Sequence, residues 1–186
     1  ERADRNAALG FEALEALVQG LGDGSSAGEA EASLGRLLRL YERLAAQNAQ
    51  APWARHVTAT AYARAGDLRS ELGRLGPAEA SYRRALGLLE GLVAEHPGSA
   101  RYRADLAAGL NNLGSLLRDR SRMGESERLL RRAVRLAEGV VERRPNDLEF
   151  SRNLALCRHN LGAVLTLGRR VVEAEDLDRE LLEAMV

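Results

Sequence analysis

The sequence predicts an all-α chain of four antiparallel helical hairpins, about eight helices in all. Three observations predict it. Ala, Leu, Glu and Arg dominate, charged residues make up 29% and aromatics only 4%, a mix that favours helix. Apolar residues recur at helical spacing, as in Leu106, Leu110, Leu113 and Leu117. The chain also repeats itself at an interval of 48 residues: Asn112-Leu113-Gly114 returns as Asn160-Leu161-Gly162. Glu31, Glu79, Glu127 and Glu175 keep that phase, as do Gly66, Gly114 and Gly162, and Pro97 and Pro145. A fixed period along a whole chain marks a repeat architecture.

The elements follow in order. The first helix is expected over 4–20, carried by Leu14, Leu17 and Val18. GLGDGSSAG (20–28) follows it and resembles a phosphate-binding loop, but no GK[ST] ending or preceding strand supports that reading. It reads as a turn, with Ser25 or Ser26 capping a second helix over 27–48. Pro52 opens the third helix, 52–71, with Trp53 beside it as a capping or packing residue. The fourth spans 76–95 and ends before Pro97, which cannot continue a helix. Ser99 caps the fifth, 99–119. After the polar turn DRSRMG, Leu130, Ala133, Val134, Ala137, Val140 and Val141 form the stripe of the sixth, 124–143. Asp147 caps the seventh, 147–168, and an eighth is expected over 171–185. The repeats run over about 4–50, 51–97, 98–145 and 146–186, read as a single domain over 1–186. The chain opens without Met and its last helix stops abruptly at EAMV, so a piece of a longer protein is expected.

Composition narrows the function. Formal net charge is zero, so nothing draws the whole chain to nucleic acid or an anionic membrane. There is no Ile and no Lys, and all 27 basic residues are Arg, a bias that fits a GC-rich bacterial genome. Without Lys there is no P-loop lysine and no Schiff base. The single Cys157 permits no intrachain disulfide and no Cys-rich zinc site. Cys157 and His159 sit two apart, on different faces of a helix, and so do not form a nucleophile and base. His56, His96 and His159 lack metal-ligand spacing. Six arginines fall between 128 and 144, but interleaved Glu residues and the lack of aromatics for base stacking favour a solvated outer face. No apolar run reaches membrane-spanning length and no signal peptide is visible. The expectation is therefore no catalytic residues, no metal and no cofactor, in a cytoplasmic protein.

The hairpins resemble the tetratricopeptide repeat, whose signature is W-x2-L-G-x2-Y, then A-x3-F, then a later Ala and Pro. The third repeat reads Leu110-x2-Leu113-Gly114-x2-Leu117, Ser126-x3-Leu130, Ala133 and Pro145. The second reads Tyr62-x2-Ala65-Gly66-x2-Arg69, Ala78-x3-Tyr82, Ala85 and Pro97. The fourth keeps Leu161-Gly162 and Leu165 but has Asp178 where an aromatic is usual. The family's period is about 34 residues. Here each helix is longer by seven residues, about two turns, which leaves its apolar stripe on the same face. The resemblance implies a right-handed superhelical solenoid. Long repeats of this kind are similar to arrays in large bacterial signalling proteins, some attached to Ser/Thr kinases, and to kinesin light chains.

The resemblance also implies a concave groove lined by the first helix of each hairpin. The residues it places there are Arg64, Asp67, Asn111, Asn112, Ser115, Arg152, His159 and Asn160. Two readings of the Asn residues stay open: contact with a peptide backbone, or bonds between neighbouring helices. The family's carboxylate clamp is not reproduced, since its lysine is missing. The implied function is a non-catalytic scaffold for a protein or peptide partner, an extended segment or an amphipathic helix. Two alternatives are self-association through terminal hairpins, motivated by Leu177, Leu181, Leu182 and Met185, and a regulatory region of a larger bacterial signalling enzyme.

Overall fold

The structure is a computed structural model, and it describes residues 27–168. Among these residues there are six α-helices and no strand. They are α1 (Ala27–Gln47), α2 (Pro52–Glu71), α3 (Leu75–Glu95), α4 (Ala100–Asp119), α5 (Met123–Val141) and α6 (Leu148–Leu167). Each begins and ends within two residues of the corresponding expected helix. The helices expected over 4–20 and 171–185 lie outside the described residues, as do the Ser25 and Ser26 caps, so six rather than eight are observed. Ser99 accepts from the Tyr102 N–H at 3.3 Å, and Asp147 accepts from Glu149 and Phe150, so both expected caps are present. The chain divides into two compact units, Glu1–Leu92 and Val93–Val186, near the end of α3.

In the first unit α1 packs on α2. Leu34, Leu38 and Tyr41 meet Ala61, Ala65 and Leu68, with Leu37, Leu44, Val57 and Tyr62 around them. Small alanines on α2 let the bulkier α1 side chains settle close to its backbone. The buried Thr58 hydroxyl donates to the Tyr41 carbonyl at 3.1 Å and to that of Ala54 at 2.8 Å, so a polar atom at the seam is satisfied. Against α3, Gly66 has no side chain where the Tyr82 ring lies. A Cβ placed there would stand 2.5 Å from Tyr82 Cε1. Tyr82 is held in place by its hydroxyl, which donates to Asp67 at 2.8 Å.

Arg69 occupies the register position that Leu117 fills one repeat later. Its half-buried guanidinium donates to Glu31 of α1 and to Ser81 of α3, and Arg74 joins Glu31 at 3.2 Å. Burying a cation is costly unless it is paired. The hydrogen bond from Arg69 holds the Glu31 carboxyl below the usual carboxylate range, against the opposing effect of burial.

In the second unit α4 packs on α5, and α6 rests on both. The α4–α5 hairpin repeats the α2–α3 packing 48 residues on: a Cβ on Gly114 would stand 2.7 Å from Leu130 Cγ. The Ser126 hydroxyl donates to the Gly114 carbonyl at 2.7 Å. Ala104, Val140 and Phe150 bring the three helices together at one end. Leu106, Leu110, Leu117, Leu130 and Leu165 are almost fully buried, each contributing about 1.5–3 kcal/mol by removal from water.

Candidate interaction face on α4 and α6

The second unit offers one continuous face built from two neighbouring helices. The apolar stripe of α4 is turned toward α5, which leaves Arg101, Asp105, Ala108, Asn112 and Asp119 on the side away from it. By the same rule α6 turns Phe150, Leu154, Cys157, Leu161 and Leu165 inward and leaves Arg152, Leu156, His159 and Thr166 outside. Arg101 pairs with Glu149 at 3.1 Å and with Asp105 at 3.1 Å, tying the two stripes together at one end.

Where the helices meet, side-chain amides bridge them. Asn153 Nδ2 donates to the Ala104 carbonyl at 2.9 Å. Asn160 Nδ2 donates to Asn111 Oδ1 at 2.9 Å. The two bridges lie seven residues apart on both helices, about two turns, so they recur on the same seam. Asn111 is 2% exposed. The structure therefore places this expected groove residue inside the α4–α6 seam rather than on its surface. Asn160 is half-buried, with its amide committed to the seam, while Asn112 is half-buried on the outer stripe.

The remaining expected residues separate. Arg152 and His159 are exposed on α6, with Leu156 between them at 51% exposure. Ser115 is half-buried, and its hydroxyl oxygen is buried without a hydrogen-bond partner. The register explains that orphan. In the first unit the same position is Asp67, which takes the Tyr82 hydroxyl, whereas Tyr82's counterpart Leu130 has no hydroxyl to give. Arg64 is exposed and pairs with Asp67 at 3.6 Å in the first unit, so these two residues belong to a separate body from the other six.

Sequence reasoning missed Leu156 and Asn153. Leu156 falls off the apolar stripe, between two polar residues on the outer arc, which is the signal that marks it. Asn153 lies seven residues before Asn160, and that spacing alone places both amides on one face.

Cys157 is fully buried, and burial pushes its thiol up to about 12, so it carries no thiolate near neutral pH. It weakly donates to Asn153 at 3.6 Å, while His159 faces outward. Among the described residues, no group of three His, Cys, Asp or Glu is arranged to hold a metal ion. No described helix is long and apolar enough to cross a membrane.

Comparison with known families fits this geometry. Residues 59–88, on the α2–α3 hairpin, match a family described as tetratricopeptide repeat. Residues 106–147, on the α4–α5 hairpin, match a second family of the same description. The two matches support a tetratricopeptide repeat in the chain, and such repeats are generally non-catalytic and commonly mediate protein–protein interaction. No curated protein matches the chain.

Proposed function

We propose that this chain is a non-catalytic protein-interaction scaffold and that the outer face of α4 and α6 receives a partner segment. The observation that carries the reading is Leu156, a large apolar side chain exposed on α6 between Arg152 and His159. An apolar contact flanked by a cation and hydrogen-bonding groups suits an extended peptide or a helix with an apolar residue between polar ones. Ala108 and Ala163 leave room for a chain to lie close to the backbone. The reading takes residues 1–186 as one long-repeat domain of four hairpins forming a right-handed solenoid, with Arg64 and Asp67 as further contacts. It places the protein in the bacterial cytoplasm, as a scaffold or as the regulatory repeat region of a signalling enzyme.

A second reading, self-association, is favoured by Leu148, Leu156 and Leu167, which are 72%, 51% and 61% exposed along α6. One experiment separates the two. A random peptide-display library is panned against wild type, and the selected peptides are titrated against Arg152→Glu plus Leu156→Asp and against Arg128→Glu plus Arg135→Glu on α5. Loss of binding by at least about tenfold, some 1.4 kcal/mol, in the first variant alone supports the scaffold. Equal binding by both variants overturns it. Light scattering that finds a dimer abolished by Leu156→Asp moves the face to self-association.

A further inference from the structure

The turn between α4 and α5 holds a residue that the packing does not explain. Ser121 has φ 59°, the one non-glycine in the left-handed region among the described residues. The corresponding position of the α2–α3 turn, 48 residues earlier, is Gly73, with φ 71°. Both turns close in the same way. The N–H of Gly73 donates to the Ser70 carbonyl at 2.9 Å, and that of Ser121 to the Arg118 carbonyl at 2.8 Å. Glycine takes this backbone without steric cost, whereas serine does not. Ser121 is exposed.

Its sequence setting is also distinctive. Ser121 lies in Arg118-Asp119-Arg120-Ser121-Arg122. Of all serines and threonines in the chain, only Thr58 and Ser121 have an arginine three residues before them. Thr58 is 2% exposed, with its hydroxyl committed to two carbonyls. Ser121 alone combines exposure with arginines at −3, −1 and +1. We propose that Ser121 is a phosphoacceptor for a protein kinase whose substrate groove is acidic and reads arginine.

In the transfer, Ser121 Oγ forms a bond to the γ-phosphorus of a nucleoside triphosphate. The bond from that phosphorus to the β–γ bridging oxygen breaks, the diphosphate leaves, and the hydroxyl proton passes to the kinase's catalytic carboxylate. Access requires the turn to open. Only Arg120, Ser121 and Arg122 lie between the helices, flanked by exposed Asp119 and half-buried Met123, so opening is confined to helix ends, which fray most easily. Residues 118–122 carry three cations and one anion, with Arg118 paired to Asp119 and Arg122 to Glu125. A phosphoryl group adds about −2, cancels that excess and offers the arginines a stronger acceptor.

The test treats the folded full chain with Mg-ATP and the purified catalytic domain of an arginine-directed Ser/Thr kinase, then maps the sites by peptide mass. The expected result is one principal site at Ser121, slowed at least tenfold by Arg118→Ala plus Arg120→Ala. Ser121→Gly is expected to abolish labelling and to raise the melting temperature by relieving the backbone, which shows that the loss is not misfolding. No incorporation into the native chain, or labelling that persists unchanged in Ser121→Gly, overturns the proposal.

Discussion

Two glycine-to-alanine substitutions test the packing logic within one protein, because they should act in opposite directions. In Gly66→Ala the new Cβ would lie 2.5, 2.6 and 2.9 Å from Cε1, Cδ1 and Cζ of Tyr82, well inside van der Waals contact. The ring is rigid, 4% exposed, and anchored at its far end by the 2.8 Å hydrogen bond to Asp67. Helix propensity favours Ala by about 1 kcal/mol. Overpacking costs about 1–3 kcal/mol, and shifting the ring puts at risk a hydrogen bond worth about 1.5–3 kcal/mol because its acceptor is charged. The net expectation is destabilisation by about 1–3 kcal/mol. Gly87 lies in α3, is exposed, and has nothing within 4 Å of its would-be Cβ. Gly87→Ala keeps only the propensity gain and should stabilise by about 0.5–1 kcal/mol. Urea unfolding followed by helical circular dichroism measures both. If Gly66→Ala stabilises as much as Gly87→Ala, the close approach of α2 and α3 at Tyr82 is wrong.

Three further outcomes follow from the same contacts. Ser115→Ala removes a buried hydroxyl oxygen without a partner, so unfolding should show it neutral or stabilised by up to about 1 kcal/mol. Cys157 should resist iodoacetamide at pH 8 in the native chain and react only as urea unfolds the second unit, since the thiol is fully buried and pushed up to about 12. Glu31 has a lowered folded pKa, so its contribution is present above its ordinary value of 4.5 and is lost as pH falls through the folded value. Glu31→Gln should therefore lower stability clearly at pH 7 and much less near pH 2, as measured by urea midpoints at the two pH values.

The six described helices were legible because their signals are local. Leu106, Leu110, Leu113 and Leu117 declare a buried stripe, and Ser99, Pro52 and Asp147 mark helix starts through caps or fixed φ. The glycine positions were legible too, since the 48-residue period demanded a shared reason for Gly66 and Gly114. The seam between α4 and α6 was not. The sequence register equates Asn112 with Asn160, whereas the amide bridges join residues 49 apart, Asn111 with Asn160 and Ala104 with Asn153. Equivalence in a repeat identifies residues with the same job. Contact between neighbouring helices depends also on their offset, which no single helix encodes. For a similar reason nothing local to Arg69, at the register position of Leu117, shows its compensation by Glu31 and Ser81, which lie on two other helices.

The most direct test of the central claim is hydrogen exchange on the full chain, with and without a display-selected peptide, followed by fragment mass. If the outer face of α4 and α6 receives the partner, the slowed amides should cluster in 101–119 and 149–167, and the protection should vanish in Leu156→Asp. Protection confined to α5, or unchanged by Leu156→Asp, would contradict it.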